Sequence, residues 1–305
     1  MSQRKLLVTG PGGFVGRHVQ AACGTGGSLE GWRFCGAPSG LDVRDAQAVR
    51  AWVADARPDA VLHLAAQSFV PRSFEEPLET FEINLLGTLN LLQALKAADF
   101  GGRMLFVSSG DVYGRVPDEA LPVDETRVPE PRSPYAVSKI AAEQLCLQWH
   151  RAEQLDVMIA RPFNHVGPGQ DARFVLPALA EQVVAIAAAR QAPVIEVGDV
   201  DTTRDFTDVR DVVAAYAAML HRGAPGSTYV IGSGCERKVR DLLAMMCALE
   251  QVSPEIRQDP GRMRPAEQRR MVADASRLRS DTGWAPTIPI ETTLTHILKE
   301  AKSRA

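Results

Sequence analysis

Tyr135 and Lys139 stand four residues apart in Ser133-Pro134-Tyr135-Ala136-Val137-Ser138-Lys139. On a helix this spacing puts both side chains on one face. An ammonium beside a phenol stabilises the phenolate and lowers its pKa from about 10. Such a tyrosine can exchange a proton with an alcohol or a carbonyl near neutral pH. The same spacing also arises by chance as a solvated surface pair, so the neighbouring motifs decide. Ser108 and Ser109 head the run Ser108-Ser109-Gly110-Asp111-Val112-Tyr113-Gly114. There a hydroxyl at the carboxyl end of a parallel strand would face the ligand crevice. Asn84 interrupts the apolar Ile83-Asn84-Leu85-Leu86 inside a helical stretch.

A second chemistry is written in Thr9-Gly10-Pro11-Gly12-Gly13-Phe14-Val15-Gly16. Gly10, Gly13 and Gly16 give a tight turn, close backbone approach to a pyrophosphate, and close packing of helix on strand. The following helix, opening at Phe14 and Val15, would aim its free N–H groups at the phosphates. The turn follows a first strand and precedes a helix, as a dinucleotide fingerprint requires. An NAD-selective site places a carboxylate about 20 residues on, at the end of strand two. That region reads Phe34-Cys35-Gly36-Ala37-Pro38-Ser39, with none. NADPH is therefore favoured, with NADH tolerated. Asp42 and Val43 could reach the adenine, and Asp42 reads equally as a helix N-cap.

These residues need a scaffold. Continuously apolar runs at Lys5–Thr9, Trp32–Gly36, Ala60–Leu64, Arg103–Ser108 and Val157–Arg161 read as strands covered on both faces. Helical patterns at Phe14–Cys23, Asp45–Ala54, Leu78–Ala98 and Ser138–Glu153 alternate with them. The alternation implies an α/β fold, a doubly wound parallel sheet of Rossmann type. After Arg161-Pro162 the texture changes: Asn164–Gln170 reads as a loop, and Ser253–Met271 as a Pro/Arg-rich segment with few regular elements. The expected organisation is a dinucleotide-binding domain over residues 1–165 and a smaller α/β substrate lobe over 166–305, interleaved with the first.

The chain has 305 residues, 45% of them hydrophobic, and a net charge of −3 from 34 basic and 37 acidic residues. That composition supports a sizeable core and excludes intrinsic disorder. It also argues against a partner as polyanionic as nucleic acid or an anionic membrane. The longest apolar candidate, Val183–Ala189, is far shorter than a membrane span. Five cysteines without a Cys-x-x-Cys pair speak against a zinc site or disulfide framework and fit a reducing, cytoplasmic setting.

The glycines 10, 13 and 16, His63-Leu64-Ala65-Ala66, Asn84, Ser109, Tyr135 and Lys139 together resemble the extended short-chain dehydrogenase/reductase family. The resemblance implies roles. Tyr135 would be the general acid/base, and Lys139 would hold the nicotinamide ribose and tune Tyr135. Ser109 would hydrogen-bond the substrate oxygen; Ser108 is the alternative. Asn84 would position a water relay, and Leu64, Ala65 and Ala66 would line the cofactor channel. Arg161–Gln170 is similar to the sugar-nucleotide branch of this family. Within it, Asn164, Val175 and Arg204 would contact substrate, and Arg264 and Glu267 would complete the nucleotide end. Arg suits phosphate because its planar fork binds two oxygens at once. Arg204 alternatively pairs with Asp205 or Asp208, and Arg269 and Arg270 read as a solvated basic face.

The implied activity is reduction of the 4-keto group of GDP-4-keto-6-deoxy-D-mannose to GDP-D-rhamnose. A GDP-mannose 4,6-dehydratase, a nucleotide-sugar 4-epimerase and a non-enzymatic NADPH-binding sensor or scaffold are the alternatives. The dehydratase carries Thr or Ser followed two positions later by Glu; here Ser109 is followed by Asp111. Leu78–Ala98 and Pro134–Glu153 resemble the family's four-helix contact, which implies a homodimer.

Overall fold

A computed structural model of the chain describes residues 3–259 and 268–304. Its strands are β1 (Arg4–Thr9), β2 (Trp32–Gly36), β3 (Ala60–His63), β4 (Arg103–Val107), β5 (Asp156–Pro162), β6 (Asn164–Val166), β7 (Val194–Val197), β8 (Thr203–Asp208), β9 (Thr228–Ile231), β10 (Glu236–Lys238) and β11 (Glu255–Gln258). Its α-helices are α1 (Phe14–Ala22), α2 (Ala46–Ala56), α3 (Val70–Glu75), α4 (Pro77–Phe81), α5 (Gly87–Ala97), α6 (Pro134–Glu153), α7 (Val175–Ala187), α8 (Val209–Arg222), α9 (Val239–Leu249), α10 (Ser276–Thr282) and α11 (Ile290–Arg304).

Six strands form one sheet in the order β2-β1-β3-β4-β5-β9, and every pairing in it is parallel. Successive residues of a strand point to opposite faces, so each strand needs apolar groups on both. Leu6, Leu62, Leu105 and Met158 pack with Val19 of α1 and Val212, Tyr216 and Met219 of α8 on one face. Leu7, Val61, Met104 and Val157 pack with Val53, Leu91, Leu95 and Cys146 of α2, α5 and α6 on the other. A further core joins α7, α9 and α11 around Leu179, Leu243 and Leu294. The sixth strand, β9, comes from residues beyond 165.

The helices that carry the site start where capping chemistry places them. Ser133 accepts a hydrogen bond from the Ala136 N–H and Pro134 takes the first helical position, which sets Tyr135 in the first turn of α6. Asp45, not Asp42, caps α2, accepting from Gln47 and Ala48. Asp42 is instead held by the side chain and backbone N–H of Arg44, which keep its carboxyl below the usual range.

The helical stretch expected over Leu78–Ala98 is present, α4 and α5 being joined without a break through a π-helical turn, Glu82–Leu86. Within that turn the Asn84 side chain bonds the backbone of Gln67 on both sides, Oδ1 accepting from the N–H at 2.8 Å and Nδ2 donating to the carbonyl at 3.1 Å. Asn164–Gln170, however, is not all loop. Asn164–Val166 pairs parallel with β8, which pairs antiparallel with β10. In Ser253–Met271, expected to hold few regular elements, Glu255–Gln258 pairs with β7.

Candidate active site

Gly10 opens the turn at φ 66°, in the left-handed region that glycine favours. A Cβ on Gly16 would lie 2.4 Å from the Gly10 carbonyl oxygen, so this glycine seats α1 on the turn. Gly12 and Gly13 differ: a Cβ on Gly12 would meet nothing within 4 Å, and one on Gly13 only the Gly10 carbonyl oxygen at 3.3 Å. Protein packing does not require glycine at position 12, while at position 13 a side chain would press on the turn's own backbone. No side chain caps the α1 N-terminus. A helix end with free N–H groups beside an open, Cβ-free turn fits a dinucleotide pyrophosphate.

From this turn a hydrogen-bond chain runs to α6. Thr9 Oγ1 accepts from the Leu64 and Ala65 N–H groups, both at 2.9 Å. Its own proton must then go to His63 Nδ1, 2.7 Å away. His63 is therefore protonated on Nε2, which donates to Thr88 Oγ1 at 3.0 Å. Thr88 donates to the Asn84 carbonyl, Asn84 Nδ2 donates to Ser138 Oγ, and Ser138 donates to the Tyr135 carbonyl. Burial, and the positive charge of Lys139, push the His63 imidazole down to about 3, so it stays neutral.

Both amide hydrogens of Asn84 are committed, to Gln67 and Ser138. Its side chain is a post between the loop after β3 and α6. Val43 is buried, and a Cβ on Gly87 would lie 2.6 Å from its Cγ2. Leu64, Ala65 and Ala66 form a half-buried loop against Gly10.

Tyr135 and Lys139 are both buried on α6. Of the two serines, Ser109 hydrogen-bonds the Tyr135 phenol, while the Ser108 hydroxyl is buried without a partner. Tyr135 does not follow the expectation of a lowered pKa. Burial, and then the nearby Asp111 carboxylate, raise the phenol above its ordinary range, against the Ser109 hydrogen bond. Lys139 is brought down to about 8 by burial, opposed by Glu143. Its Nζ lies 4.8 Å from the Phe106 ring centroid. At rest the phenol and the ammonium are thus both protonated, which is the state that can give a proton away.

Asp111 reaches solvent in a nest of protein, and this enclosure raises its carboxyl against the pull of Arg204. Arg204 makes neither ion pair expected as its alternative. It donates to the carbonyls of Thr203 and Gln268, while Asp208 pairs with Arg210 and Asp205 accepts from Ser233, Gly234 and Ala273. Asn164 is exposed at the start of β6, and Val175 is exposed at the start of α7 beside Phe174. Arg264 and Glu267 lie outside the described residues. Arg270 is exposed, as expected, and on that surface it forks onto Glu236 at 2.8 Å and reaches Asp118.

Two features escape motif reading. Arg17 Nη1 donates to the Gly12 carbonyl at 2.6 Å and Nη2 to the Gly169 carbonyl at 2.7 Å, and His18 Nε2 contacts the Pro168 carbonyl at 2.8 Å. Helix α1 thus straps the glycine-rich turn to the loop after β6. The second is a buried ion pair, Glu143–Arg161, at 2.6 Å. Glu143 continues the Tyr135–Lys139 face at the same four-residue step, which is the signal that would have found it.

With this geometry in place, comparison with known proteins is decisive. A family model described as GDP-mannose 4,6 dehydratase matches residues 39–297. The chain belongs to the GDP-mannose 4,6-dehydratase family. Over all 305 residues it is 48% identical to the GDP-6-deoxy-D-mannose reductase of Pseudomonas aeruginosa, of which it covers 99%. It is 30% identical to the dTDP-glucose 4,6-dehydratase of Escherichia coli, with 95% of this chain and 91% of that protein aligned. Among solved structures, RMD from Pseudomonas aeruginosa complexed with NADPH superposes with a TM-score of 0.93 at 47% identity, covering 99% of this chain and 100% of that one. The Thermus thermophilus UDP-glucose 4-epimerase complex with NAD gives 0.86 at 29% identity, with 99% and 100% covered. The proteins it resembles thus carry reductase, dehydratase and epimerase names. Among the described residues, no helix is long and apolar enough to cross a membrane.

Proposed function

We propose that the protein reduces the 4-keto group of GDP-4-keto-6-deoxy-D-mannose to give GDP-D-rhamnose, with NADPH as reductant. The observation that carries this reading is the full-length 48% identity to the Pseudomonas aeruginosa protein named GDP-6-deoxy-D-mannose reductase. The RMD structure complexed with NADPH supports the cofactor, as does a second strand ending without a carboxylate.

The chemistry that bound NADPH supplies is hydride transfer to the C4 carbonyl carbon. Everything else is asked of the chain. Gly10, Gly13, Gly16 and the start of α1 seat the pyrophosphate. Ser109 donates a hydrogen bond to the carbonyl oxygen and orients it toward the Tyr135 phenol. Tyr135 gives that oxygen its proton, and the Lys139 ammonium stabilises the phenolate left behind. Lys139 also holds the nicotinamide ribose. Arg204, beside Asp111 at the mouth of the site, serves the substrate diphosphate, with Asn164 and Val175 lining its approach.

A dehydratase is the second reading, because Asp111 offers a carboxyl held toward neutrality two residues after Ser109. The two separate cleanly. Incubation with the 4-keto sugar nucleotide should consume NADPH stoichiometrically and yield a 4-hydroxy product whose C4 configuration NMR reads. Turnover of GDP-mannose without net NADPH consumption would replace the reductase with the dehydratase. The protein is further proposed to be a cytoplasmic homodimer: Phe74, Leu78, Leu86 and Val137, on α3, α4, the π turn and α6, leave apolar side chains exposed on the helices expected to pair.

A further inference from the structure

Glu143 is fully buried and sits one helical step beyond Lys139, on the face of α6 that carries Tyr135. Arg161, at the end of β5, grips it with Nε and Nη2, the latter 2.6 Å from Oε2. The remaining arm of the guanidinium, Nη1, donates to the Tyr113 hydroxyl at 3.0 Å. Tyr113 closes the short 3₁₀ turn, Gly110–Tyr113, that Ser109 caps and Asp111 begins to build. Three residues beyond Arg161 the chain reaches Asn164. One carboxylate therefore ties together the helix of Tyr135 and Lys139, the turn of Ser109, and the strand that leads to the substrate loop.

A buried ion pair is a poor way to gain stability, since apolar residues of similar volume often do as well or better. Its effect here is on charge. The groups facing Lys139 are Glu143 and Cys146 on its own helix, His63 on β3 and the Phe106 ring on β4. Cys146 is a buried thiol kept protonated by that burial, and His63 is neutral. Glu143 is the carboxylate in this set, and it works against the burial that strips Lys139 of its proton.

We propose that Glu143 is a positioning residue for the reaction: its carboxylate keeps Lys139 charged and, through Arg161 and Tyr113, fixes the catalytic helix against the turn bearing Ser109. The proposal rests on the Tyr135–Lys139 chemistry above, and its test is built to be read separately.

The measurement is the pH dependence of kcat/KM for NADPH, which reports groups of the free enzyme. Tyr135 is held above the ordinary phenol range, so the alkaline limb near pH 8 belongs to Lys139. In Glu143→Gln the limb should fall by about one pH unit, lowering kcat/KM about tenfold at any pH above both limbs. Arg161→Lys, which keeps the carboxylate and a buried cation, should lower the melting temperature with the limb in place. The limb's position does not depend on the folded fraction. Should Glu143→Gln fail to fold, Glu143→Gln with Arg161→Met removes both charges, and the limb should still fall. A limb that stays near pH 8 in the foldable variant, with stability lost, would overturn the proposal and leave the pair a structural tie. The same limb is read in NADPH affinity by fluorescence without any sugar nucleotide. Failure to turn over the 4-keto substrate would thus sink the proposed reaction and leave this test standing.

Discussion

At the scale of single residues, burial acts on Tyr135 and Lys139 in opposite directions and leaves both protonated below about pH 8. Activity should therefore be level through neutrality and decline as pH rises through about 8, where Lys139 loses its charge; an initial-rate profile reads this. Tyr135→Phe removes the proton donor and nothing from the cofactor seat. Its kcat should drop on the order of 10²–10⁴-fold, with NADPH affinity within about twofold of the parent by fluorescence titration. His63 sets a different pH dependence, that of stability. Its folded pKa of about 3 lies below the ordinary 6.5, so the unfolded chain binds a proton that the folded chain refuses. The stability from keeping it neutral is whole above pH 6.5 and is lost as pH falls toward 3. The loss is on the order of 5 kcal/mol across that window. His63→Gln can accept from Thr9 and donate to Thr88 without taking a proton. Its unfolding free energy in urea should fall less steeply with acid than that of the parent.

At the scale of elements, the glycine-rich turn separates packing from ligand approach. A methyl at Gly16 strikes the Gly10 carbonyl, whereas one at Gly12 meets nothing within 4 Å. Gly16→Ala should lower both the melting temperature and NADPH affinity. Gly12→Ala should leave the melting temperature of the free protein nearly unchanged and weaken NADPH tenfold or more, as thermal scans with and without cofactor can tell. Legibility in sequence follows the same physics. The five strands read from continuous apolar runs all exist, because a strand covered on both faces has no other way to look. Strand β8 was illegible: Thr203–Asp208 buries Asp205, Thr207 and Asp208. Two of its carboxylates are satisfied by groups far along the chain, Asp205 by Ser233 and Gly234 and Asp208 by Thr293. The π turn left no pattern either; the Asn84 side chain inside it reaches Gln67, seventeen residues away. At the site, the motifs located Tyr135, Lys139 and Ser109. They gave the wrong direction for the phenol, because spacing reports neighbours and not depth.

At the scale of the whole molecule, the parallel sheet and the α7–α9–α11 core are separate bodies of apolar packing. The exposed Leu78 belongs to neither. Leu78→Lys should shift the proposed dimer toward monomer in light scattering while leaving the melting of each chain cooperative. The strap made by α1 has a larger reach. Arg17 holds the Gly12 carbonyl in the pyrophosphate turn with one nitrogen and the Gly169 carbonyl with another. Two binding events that share one guanidinium are not independent variables. Whatever factor NADPH adds to the affinity for GDP, GDP must return to the affinity for NADPH, since the coupling free energy is reciprocal. Paired calorimetric titrations should find a factor of about five or more in the parent protein, the lower end of ordinary allosteric coupling. In Arg17→Met that factor should fall toward one, with the two ligands then binding as strangers on a common frame.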